Sequence, residues 1–270
     1  MKELQKLFQS KCTKEDIDYK SKITKHFLNK YEENSKKDPL QNAAKILEMY
    51  RSKNDFVPII PGSSIKGAIR TAVLDEKGKN KENKEDNELF RSLAIADCTF
   101  SSESTIVGAM QMLNKYGEKK ADMQILADVI LGSCIGDRNF SGEIDLMIYE
   151  KLQKCLSIDL IRKKCNEFYL REFDKEYEKF YKKKENEEQY KVIKWLKKEL
   201  DGIEKKEDSF VIRLGRWSQV EFVTFQDRKP LTRRGKDGKP LPHGTTRTVF
   251  MYSGYFVPMG WCVCKFNTQL

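Results

Sequence analysis

The sequence lacks any apolar run of the roughly 20 residues that a membrane-spanning helix needs. Its lysine-dotted N-terminus also lacks the apolar core of a secretory signal peptide. Only two histidines occur, and the seven cysteines, an odd number, form no C-x-x-C pair. Cys262 and Cys264 alternate along a strand pattern, which favours buried thiols over metal ligands. We therefore predict a cytoplasmic protein without membrane contact, disulfide framework, metal or cofactor.

Motifs of nucleotide hydrolysis and of common catalytic centres are missing as well. The segment 62–67 has the spacing G-x-x-x-x-G, but Ala68 and Ile69 stand where a P-loop needs Lys and Ser or Thr. Paired carboxylates at catalytic spacing and nucleophile elbows are also absent. These absences favour a binding function over an enzymatic one.

Positive charge, by contrast, is abundant. The 270 residues include 51 lysines and arginines against 41 acidic residues, which gives a formal net charge of +10. With 39% hydrophobic and 34% charged residues, the composition is typical of a soluble globular protein with a heavily charged surface. The excess of cations suggests a polyanionic partner such as a nucleic acid.

Periodicity along the first half predicts helices over residues 1–50, with Ala43, Ile46, Leu47 and Tyr50 on one helical face. A short strand is predicted from Phe56 to Ile60, and the polar stretch from Asp75 to Glu88 reads as an exposed, mobile loop. Leu93 to Phe100 is predicted as a strand, and Ala121 to Leu131 as an amphipathic helix. No repeat of 20–50 residues is evident.

The second half divides into a helical and a β-rich part. Asp159 to Asp208 predicts a charged two-helix hairpin whose apolar stripes pack on the body of the protein. The stripe residues are Tyr169, Phe173, Tyr177, Phe180, Ile193, Leu196 and Leu200. After Ser209 the period changes to two, which is typical of strands. Strands at both ends with helices between them predict an α+β fold with helices on one side of a sheet.

The stretch "FVPIIPGSSIKGAIRTAVL" predicts a strand, a turn at Pro61 and Gly62, and a helix that Ser63 caps and Ser64 begins. Lys66 then falls in the first helical turn, where the helix dipole disfavours a cation and a bound phosphate would offset that cost. Arg70 lies four residues on, on the same face, so the two cations could follow a phosphate backbone. The alternative is an ordinary strand-turn-helix with solvated cations.

A second basic segment connects Gln226 to Arg247. Its seven cations are Arg228, Lys229, Arg233, Arg234, Lys236, Lys239 and Arg247. Just upstream, Arg213, Arg216 and Trp217 combine guanidinium groups with an aromatic plane, a pairing that holds single-stranded bases by stacking and their backbone by charge. The alternative is a solvated hairpin with Trp217 in the core.

Two histidines and one aspartate are the remaining catalytic candidates. His26 is expected on a helix surface, and His243 lies beside basic residues in a loop, which makes it the better candidate for a metal-independent ribonuclease. A lone loop histidine is more often structural. Asp97 matches no catalytic loop, so we expect a structural role for it.

The segment "IPGSSIKGAIRTAVL" closely resembles the strand-turn-helix signature of RAMP proteins, the RNA-binding subunits of type III CRISPR effector complexes, because its proline, glycine, serines, lysine and arginine occur in the same order. "RLGRWSQVEF" and "LPHGTTRTVFMYSGYFVPMGWCVCKF" are similar to the glycine-containing segment and closing strands of that family. Together the similar pieces span Phe56 to Phe266. The length, "LAIADCTF" and the charged helical region resemble the subunit that stands fifth in the Csm complex of type III-A systems.

The resemblance implies a ferredoxin-like, RRM-related RAMP fold with a large helical insertion. It implies one domain over 1–270, made of a helical segment (1–50), a signature half (51–150), a charged helical insertion (151–208) and a β-rich half (209–270). Related subunits usually open with a strand and a Gly-rich turn, whereas helices are predicted here. The segment "GRWSQ" also has fewer glycines than the usual loop.

The resemblance further implies a subunit that binds guide RNA (crRNA) and other Csm-complex subunits, especially the repeated backbone subunit, in antiviral defence. It would cap the 3′ end of the guide RNA and aid its maturation without catalysis of its own. The expected RNA-binding residues are Gly62, Ser63, Ser64, Lys66, Arg70, Arg213, Arg216, Trp217, Arg233, Arg234 and Arg247. Two alternatives stay open: a guide-RNA processing endoribonuclease that uses His243, and a single-strand RNA-binding module outside CRISPR.

Overall fold

A computed structural model describes residues 10–35, 45–75, 84–132, 141–149, 156–224 and 244–266. Both helices and strands occur in these ranges, so the α+β prediction is confirmed. The helices are α1 (Lys25–Ser35), α2 (Gly62–Leu74), α3 (Lys84–Arg91), α4 (Ile158–Phe180) and α5 (Lys191–Ile203). The strands are β1 (Lys22–Ile23), β2 (Lys45–Leu47), β3 (Ile59–Ile60), β4 (Leu93–Ile95), β5 (Cys98–Thr99), β6 (Thr105–Asn114), β7 (Lys119–Ile130), β8 (Leu146–Ile148), β9 (Ser209–Arg213), β10 (Thr246–Tyr252), β11 (Tyr255–Pro258) and β12 (Trp261–Lys265).

The largest sheet is built around the antiparallel hairpin of β6 and β7. Its strand order is β11-β10-β6-β7-β2, and β1 adds to β6 on the edge that β10 also uses. The strand β10 runs antiparallel to β6, with Phe250 opposite Met110, whereas β1 and β2 pair in parallel with β6 and β7. The sheet is therefore mixed, and the ferredoxin-like arrangement stays a prediction.

Three further sheets have two strands each, and two of them lie next to the start of α2. The strands β3 and β5 pair antiparallel, with Ile60 opposite Cys98, and β3 leads through Pro61 directly into α2. The strands β4 and β8 form a second pair, and β9 and β12 form the third. The strands β4 and β5 are joined by only Ala96 and Asp97. This link lies at the start of α2, since the Gly62 amide donates to the Asp97 carboxylate.

The predicted helical hairpin is confirmed as α4 and α5. Its aromatic stripe is buried, with Tyr169 and Phe173 at 0% and 1% exposure. The Tyr169 hydroxyl donates to the Ala68 carbonyl of α2 at 3.1 Å, and the Asn166 side chain bridges to the backbone of β9. One buried apolar cluster contains side chains of α2, α4, α5 and β9, so the helical hairpin shares its core with the signature helix. The domain limits and the status of residues 151–208 as an insertion stay predictions.

The helix predicted over Ala121 to Leu131 is wrong, because these residues form most of β7 and its end. Both faces of this strand are covered: Leu126 packs with Phe27 on one face, and Ala127 packs with Phe250 on the other. A strand buried on both faces places apolar residues at consecutive positions, and that spacing imitates the face of a helix. No strand was predicted for the residues of β6, which are likewise buried along most of the strand.

Other boundaries also differ from the predictions. The N-terminal helical prediction fails at β1 and at β2, which includes Ile46 and Leu47, while 1–9 and 36–44 lie outside the described residues. Asp75 is buried, and residues from Lys84 onward form α3, so the predicted exposed loop is wrong at both ends; 76–83 lie outside the description. The predicted strand over 93–100 is two short strands, and that over 56–60 is only β3. No helix in the described ranges is long and apolar enough to cross a membrane.

Candidate RNA-binding site

The start of α2 is the first part of the candidate site. The helix begins at Gly62, with Pro61 in extended conformation as its N-cap, so the predictions that Ser63 caps it and Ser64 begins it are wrong. Pro61 offers its carbonyl to the amides of Ser64 and Ile65 at 2.9 and 3.3 Å. The two serines consequently occupy the first turn, where helical amides have no partner within the helix.

Gly62 is held against the β4–β5 link. A Cβ atom at this position would lie 2.1 Å from the Ile95 carbonyl oxygen and 2.6 Å from that of Ala96, so only glycine allows this approach. The Gly62 amide donates to the Asp97 carboxylate at 2.8 Å. An anion at a helix N-terminus stabilises the helix dipole, which gives Asp97 the structural role that was expected from the sequence.

Ser63 and Ser64 extend this first turn into solvent. Both residues are exposed, and neither hydroxyl has a hydrogen-bond partner among the described residues. The Ser63 amide likewise has no backbone acceptor in the described part of the chain. This turn therefore presents hydroxyl and amide donors of the kind that hold phosphate oxygens at helix N-termini.

Lys66 and Arg70 continue the same side of α2. The Lys66 ammonium donates to the Leu93 carbonyl at 2.5 Å, and the Arg70 guanidinium lies 5.1 Å from the centre of the Phe90 ring. Both side chains are half-buried. A carbonyl is a neutral acceptor, so this hydrogen bond brings no counter-charge to the ammonium group. Because α2 starts earlier than predicted, Lys66 lies beyond the first turn, and the argument from an unfavourable helix dipole no longer applies to it.

The structure contradicts the prediction that Arg213 and Arg247 contact RNA, since both side chains are enclosed in the core. The exposed fractions of their side chains are 0% and 3%, and each guanidinium pairs with the Glu176 carboxylate, at 2.7 and 3.1 Å. The Arg213 guanidinium also lies over the rings of Phe222 and Trp261. Side chains in this position hold the fold together and do not reach an RNA at the surface.

Glu176 is the centre of this buried ion cluster. Burial alone would raise its pKa, but the attraction of Arg213 and Arg247 and a hydrogen bond from the Tyr181 hydroxyl, at 2.7 Å, leave the pKa below its usual range. Burial, followed by the Glu176 charge, raises the pKa of Tyr181 well above its usual range. The cluster therefore contains an ionised carboxylate and a neutral tyrosine at neutral pH.

The same cluster holds the two described ends of the second basic segment. Arg247 Nη2 lies 2.9 Å from Glu221 Oε1, which joins the start of β10 to the residues that precede the segment. Lys179 on α4 donates to the Gly244 carbonyl at 2.6 Å. The residues between, 225–243, include the predicted contacts Arg233 and Arg234 and the catalytic candidate His243, and they lie outside the described residues.

Arg216 and Trp217 are the accessible remainder of the predicted C-terminal contacts. Arg216 is exposed, and its guanidinium lies 5.8 Å from the centre of the Trp217 ring. Trp217 is half-buried and packs against the cluster that includes Phe250. Gly215, at φ +87°, supplies the left-handed turn that follows β9. This pair retains the cation and aromatic plane that the sequence indicated.

Two of the cysteines, Cys262 and Cys264, lie on β12. Cys262 and Cys264 are free thiols that both pack against the main apolar cluster, as their alternation predicted. Burial raises the pKa of Cys262 to about 12, which keeps it as a neutral thiol. Among the described residues, no group of three or more His, Cys, Asp or Glu side chains could hold a metal ion.

Sequence reasoning missed the role of Glu176. A signal was present, because Glu176 lies three residues after Phe173 and four before Phe180, within the aromatic stripe of α4. An acidic residue inside a stripe that is otherwise apolar indicates a buried partner of opposite charge. The two arginines that provide it lie far away in the sequence, at 213 and 247.

The chain belongs to the RAMP superfamily, whose family model matches residues 41–221. This match includes α2 and the helical hairpin. Among curated proteins, none matches this sequence.

Two of the solved structures that match this chain are the following. One is a chain of the cryo-EM structure of a Csm-crRNA-target RNA ternary complex in a type III-A CRISPR-Cas system, with a TM-score of 0.53, 18% identity, and coverage of 81% of this chain and 75% of that one. The other is the crystal structure of T. onnurineus Csm5, with a TM-score of 0.47, 14% identity, and coverage of 97% and 87%. The first likeness shows a shared fold.

Proposed function

We propose that this protein is a guide-RNA-binding structural subunit of a type III-A CRISPR effector complex. It binds the guide RNA near its 3′ end, caps the row of backbone subunits and aids guide maturation in antiviral defence. Membership of the RAMP superfamily and a fold shared with a chain of a Csm-crRNA-target RNA complex support this proposal.

The exposed first turn of α2 is the observation on which the proposal rests. Ser63 and Ser64 present hydroxyls that have no partner among the described residues, and Lys66 lies beside them with its ammonium on the neutral Leu93 carbonyl. Hydroxyls, amides and cations recognise phosphates without reading bases, so the protein would hold guides of any sequence. Arg70, farther along α2, and Arg216 with Trp217 are the further RNA contacts that the proposal retains.

The proposal assigns no catalysis to this chain. Asp97 already accepts from the Gly62 amide, which gives it a structural use. The competing proposal is a guide-RNA processing endoribonuclease with His243 as its base. Exchange of His243 for alanine separates the two, because a structural subunit keeps guide maturation intact whereas the ribonuclease loses it.

The test is co-expression of the full chain, carrying an affinity tag, with guide RNA and the other subunits of a type III-A complex. We expect the tagged chain to retain the guide RNA and the repeated backbone subunit, and the guide to have a defined 3′ end. Recovery of the chain alone, or of RNA unrelated to the guide, would contradict the proposal.

A matched pair of variants links that result to α2. Lys66→Ala/Arg70→Ala should weaken retention of the guide, whereas Lys198→Ala/Lys205→Ala removes the same charge from exposed positions at the end of α5 and should not. Equal retention by both variants would remove α2 from the RNA contact.

A further inference from the structure

A second aromatic and basic surface lies at the turn between β6 and β7. Tyr116 is 49% exposed at this turn. The Lys115 ammonium lies 4.9 Å from the centre of its ring, and the Lys183 ammonium, from the connection between α4 and α5, lies 5.9 Å from it. Two elements far apart in the sequence therefore place cations around one exposed aromatic ring.

The turn that carries Tyr116 is fixed by its own hydrogen bonds. The Asn114 side-chain oxygen accepts from the amides of Tyr116 and Glu118 at 2.8 and 3.0 Å, and its amide group donates to the Glu118 carboxylate at 3.1 Å. Gly117 adopts φ +76°, the left-handed conformation that glycine tolerates. The ring is consequently presented by a turn with little freedom to move.

The turn is also fastened to the helical hairpin. The buried Tyr190 hydroxyl donates to the Gly117 carbonyl. A Cβ atom at Gly117 would lie 2.4 Å from the Phe180 carbonyl oxygen, so the turn packs directly on the end of α4. This contact fixes the position of Tyr116 relative to Lys183.

Lys115 and Lys183, the two lysines near the Tyr116 ring, differ from the neighbouring lysines in their ion pairs. Lys182 pairs with Glu178, and Lys184 pairs with Glu187, at 2.6 and 2.7 Å. Lys115 and Lys183 form no ion pair with any described residue. An exposed ring thus lies near two cations whose charges are not balanced by an acidic partner in the described structure.

We propose that Tyr116, Lys115 and Lys183 form a binding platform for single-stranded RNA, separate in sequence and structure from the start of α2. A base stacks on the Tyr116 ring, and the two ammonium groups move from the ring to the phosphates on either side of that base. Stacking on an aromatic ring combined with cations along the backbone is how proteins hold single strands without sequence preference. The inference rests on the proposed RNA-binding function and adds a second contact to it.

The experiment measures binding of the full chain to a fluorescein-labelled single-stranded RNA of about 12 nucleotides. Tyr116→Ala should weaken binding about tenfold, since it removes the stacking surface, whereas Tyr116→Phe should bind like the wild type. Tyr149→Ala is the matched control, because Tyr149 is equally exposed, at 50%, and has no cation over its ring in the described structure. Lys115→Ala/Lys183→Ala should lower the salt dependence of binding by about 1.4 logarithmic units per decade of salt.

The outcomes separate this inference from the proposed function. If the wild type binds the RNA and Lys66→Ala/Arg70→Ala weakens it while Tyr116→Ala does not, the platform is overturned and the proposed function stands. If the wild type binds no RNA, both are overturned. If Tyr116→Ala impairs only association with the other subunits, the surface is a protein contact and the inference is wrong.

Discussion

Two groups of arginines and lysines in this chain look equivalent as sequence but differ in the structure. Lys66 and Arg70 line the half-exposed side of α2, beside a first turn with free hydroxyls. Arg213 and Arg247 lie in the core around one carboxylate. The difference teaches that a cation beside an aromatic residue in the sequence is no sign of an exposed surface when a buried carboxylate is its partner.

The buried arginines need protein partners in place of water, whereas the half-exposed cations of α2 keep contact with solvent. A guanidinium without water is tolerated only when anions and hydrogen-bond acceptors replace its hydration. For Arg213 these are Glu176 and the Met259 carbonyl, at 2.7 and 2.9 Å, and the rings of Phe222 and Trp261 cover its faces. Mutations should therefore act on stability in the core and on RNA affinity along α2.

The largest effect is expected for Glu176→Gln. The change leaves two buried guanidinium groups without their central anion, so the free energy of unfolding should fall by about 3–5 kcal/mol. Urea denaturation of the purified variant measures this loss. Glu178→Gln, two residues away on an exposed part of α4, is the control and should cost less than about 1 kcal/mol. A stable Glu176→Gln protein would contradict the assignment of the cluster.

Arg213→Met and Arg216→Met compare a buried arginine with an exposed one of the same segment. Arg213→Met should lower stability by about 2–3 kcal/mol, because Glu176 loses one of its two cationic partners, and should leave the salt dependence of RNA binding unchanged. Arg216→Met should do the reverse, leaving stability intact and weakening RNA binding. Denaturation and RNA titration of both variants test the pair, and a loss of RNA-binding salt dependence in a folded Arg213→Met protein would refute it.

Gly62→Ala tests how α2 is positioned. The added methyl group would meet the backbone oxygens of Ile95 and Ala96, so the helix start must shift, at a cost of about 1–3 kcal/mol. Gly67→Ala is the control, because a Cβ atom there has nothing within 4 Å. Thermal unfolding compares the two. Equal stability of Gly62→Ala and Gly67→Ala would show that the close approach is not required.

Acid should weaken the buried cluster around Glu176. Because the folded-state pKa of Glu176 lies below its usual value of 4.5, its stabilising contribution is complete above about pH 4.5 and is lost as the pH falls through the folded-state pKa. Within that window stability should fall by up to about 1.4 kcal/mol per pH unit. Urea denaturation at several pH values measures the slope. The same slope in Glu176→Gln would assign the acid sensitivity to other carboxylates.

The sequence predicted the parts of the fold whose patterns are local. The helical hairpin was found because its aromatic stripe has one buried face, and α2 was found because a proline and a glycine mark its start. The hairpin of β6 and β7 was missed because both of its faces are covered. Leu126 and Ala127 are each buried although they point to opposite sides, and such a strand has no alternation to detect.

The candidate site was predictable where function and local structure coincide. Ser63, Ser64, Lys66 and Arg70 follow from one short segment, and the structure keeps them on α2. The arginines at 213 and 247 were misread because burial depends on Glu176, which lies 37 residues before Arg213 in the sequence. No local pattern reveals a partner that only the tertiary fold brings near.

The most direct measurement is the RNA affinity of the full chain across a salt series, for the wild type and for Lys66→Ala/Arg70→Ala. We predict that affinity falls steeply with salt and that the double variant lowers this slope by about 1.4, the value for two phosphate contacts on a single strand. Its unfolding transition should show that it is folded. An unchanged affinity and slope in the folded variant would contradict the central claim, since the start of α2 would then be only a structural turn.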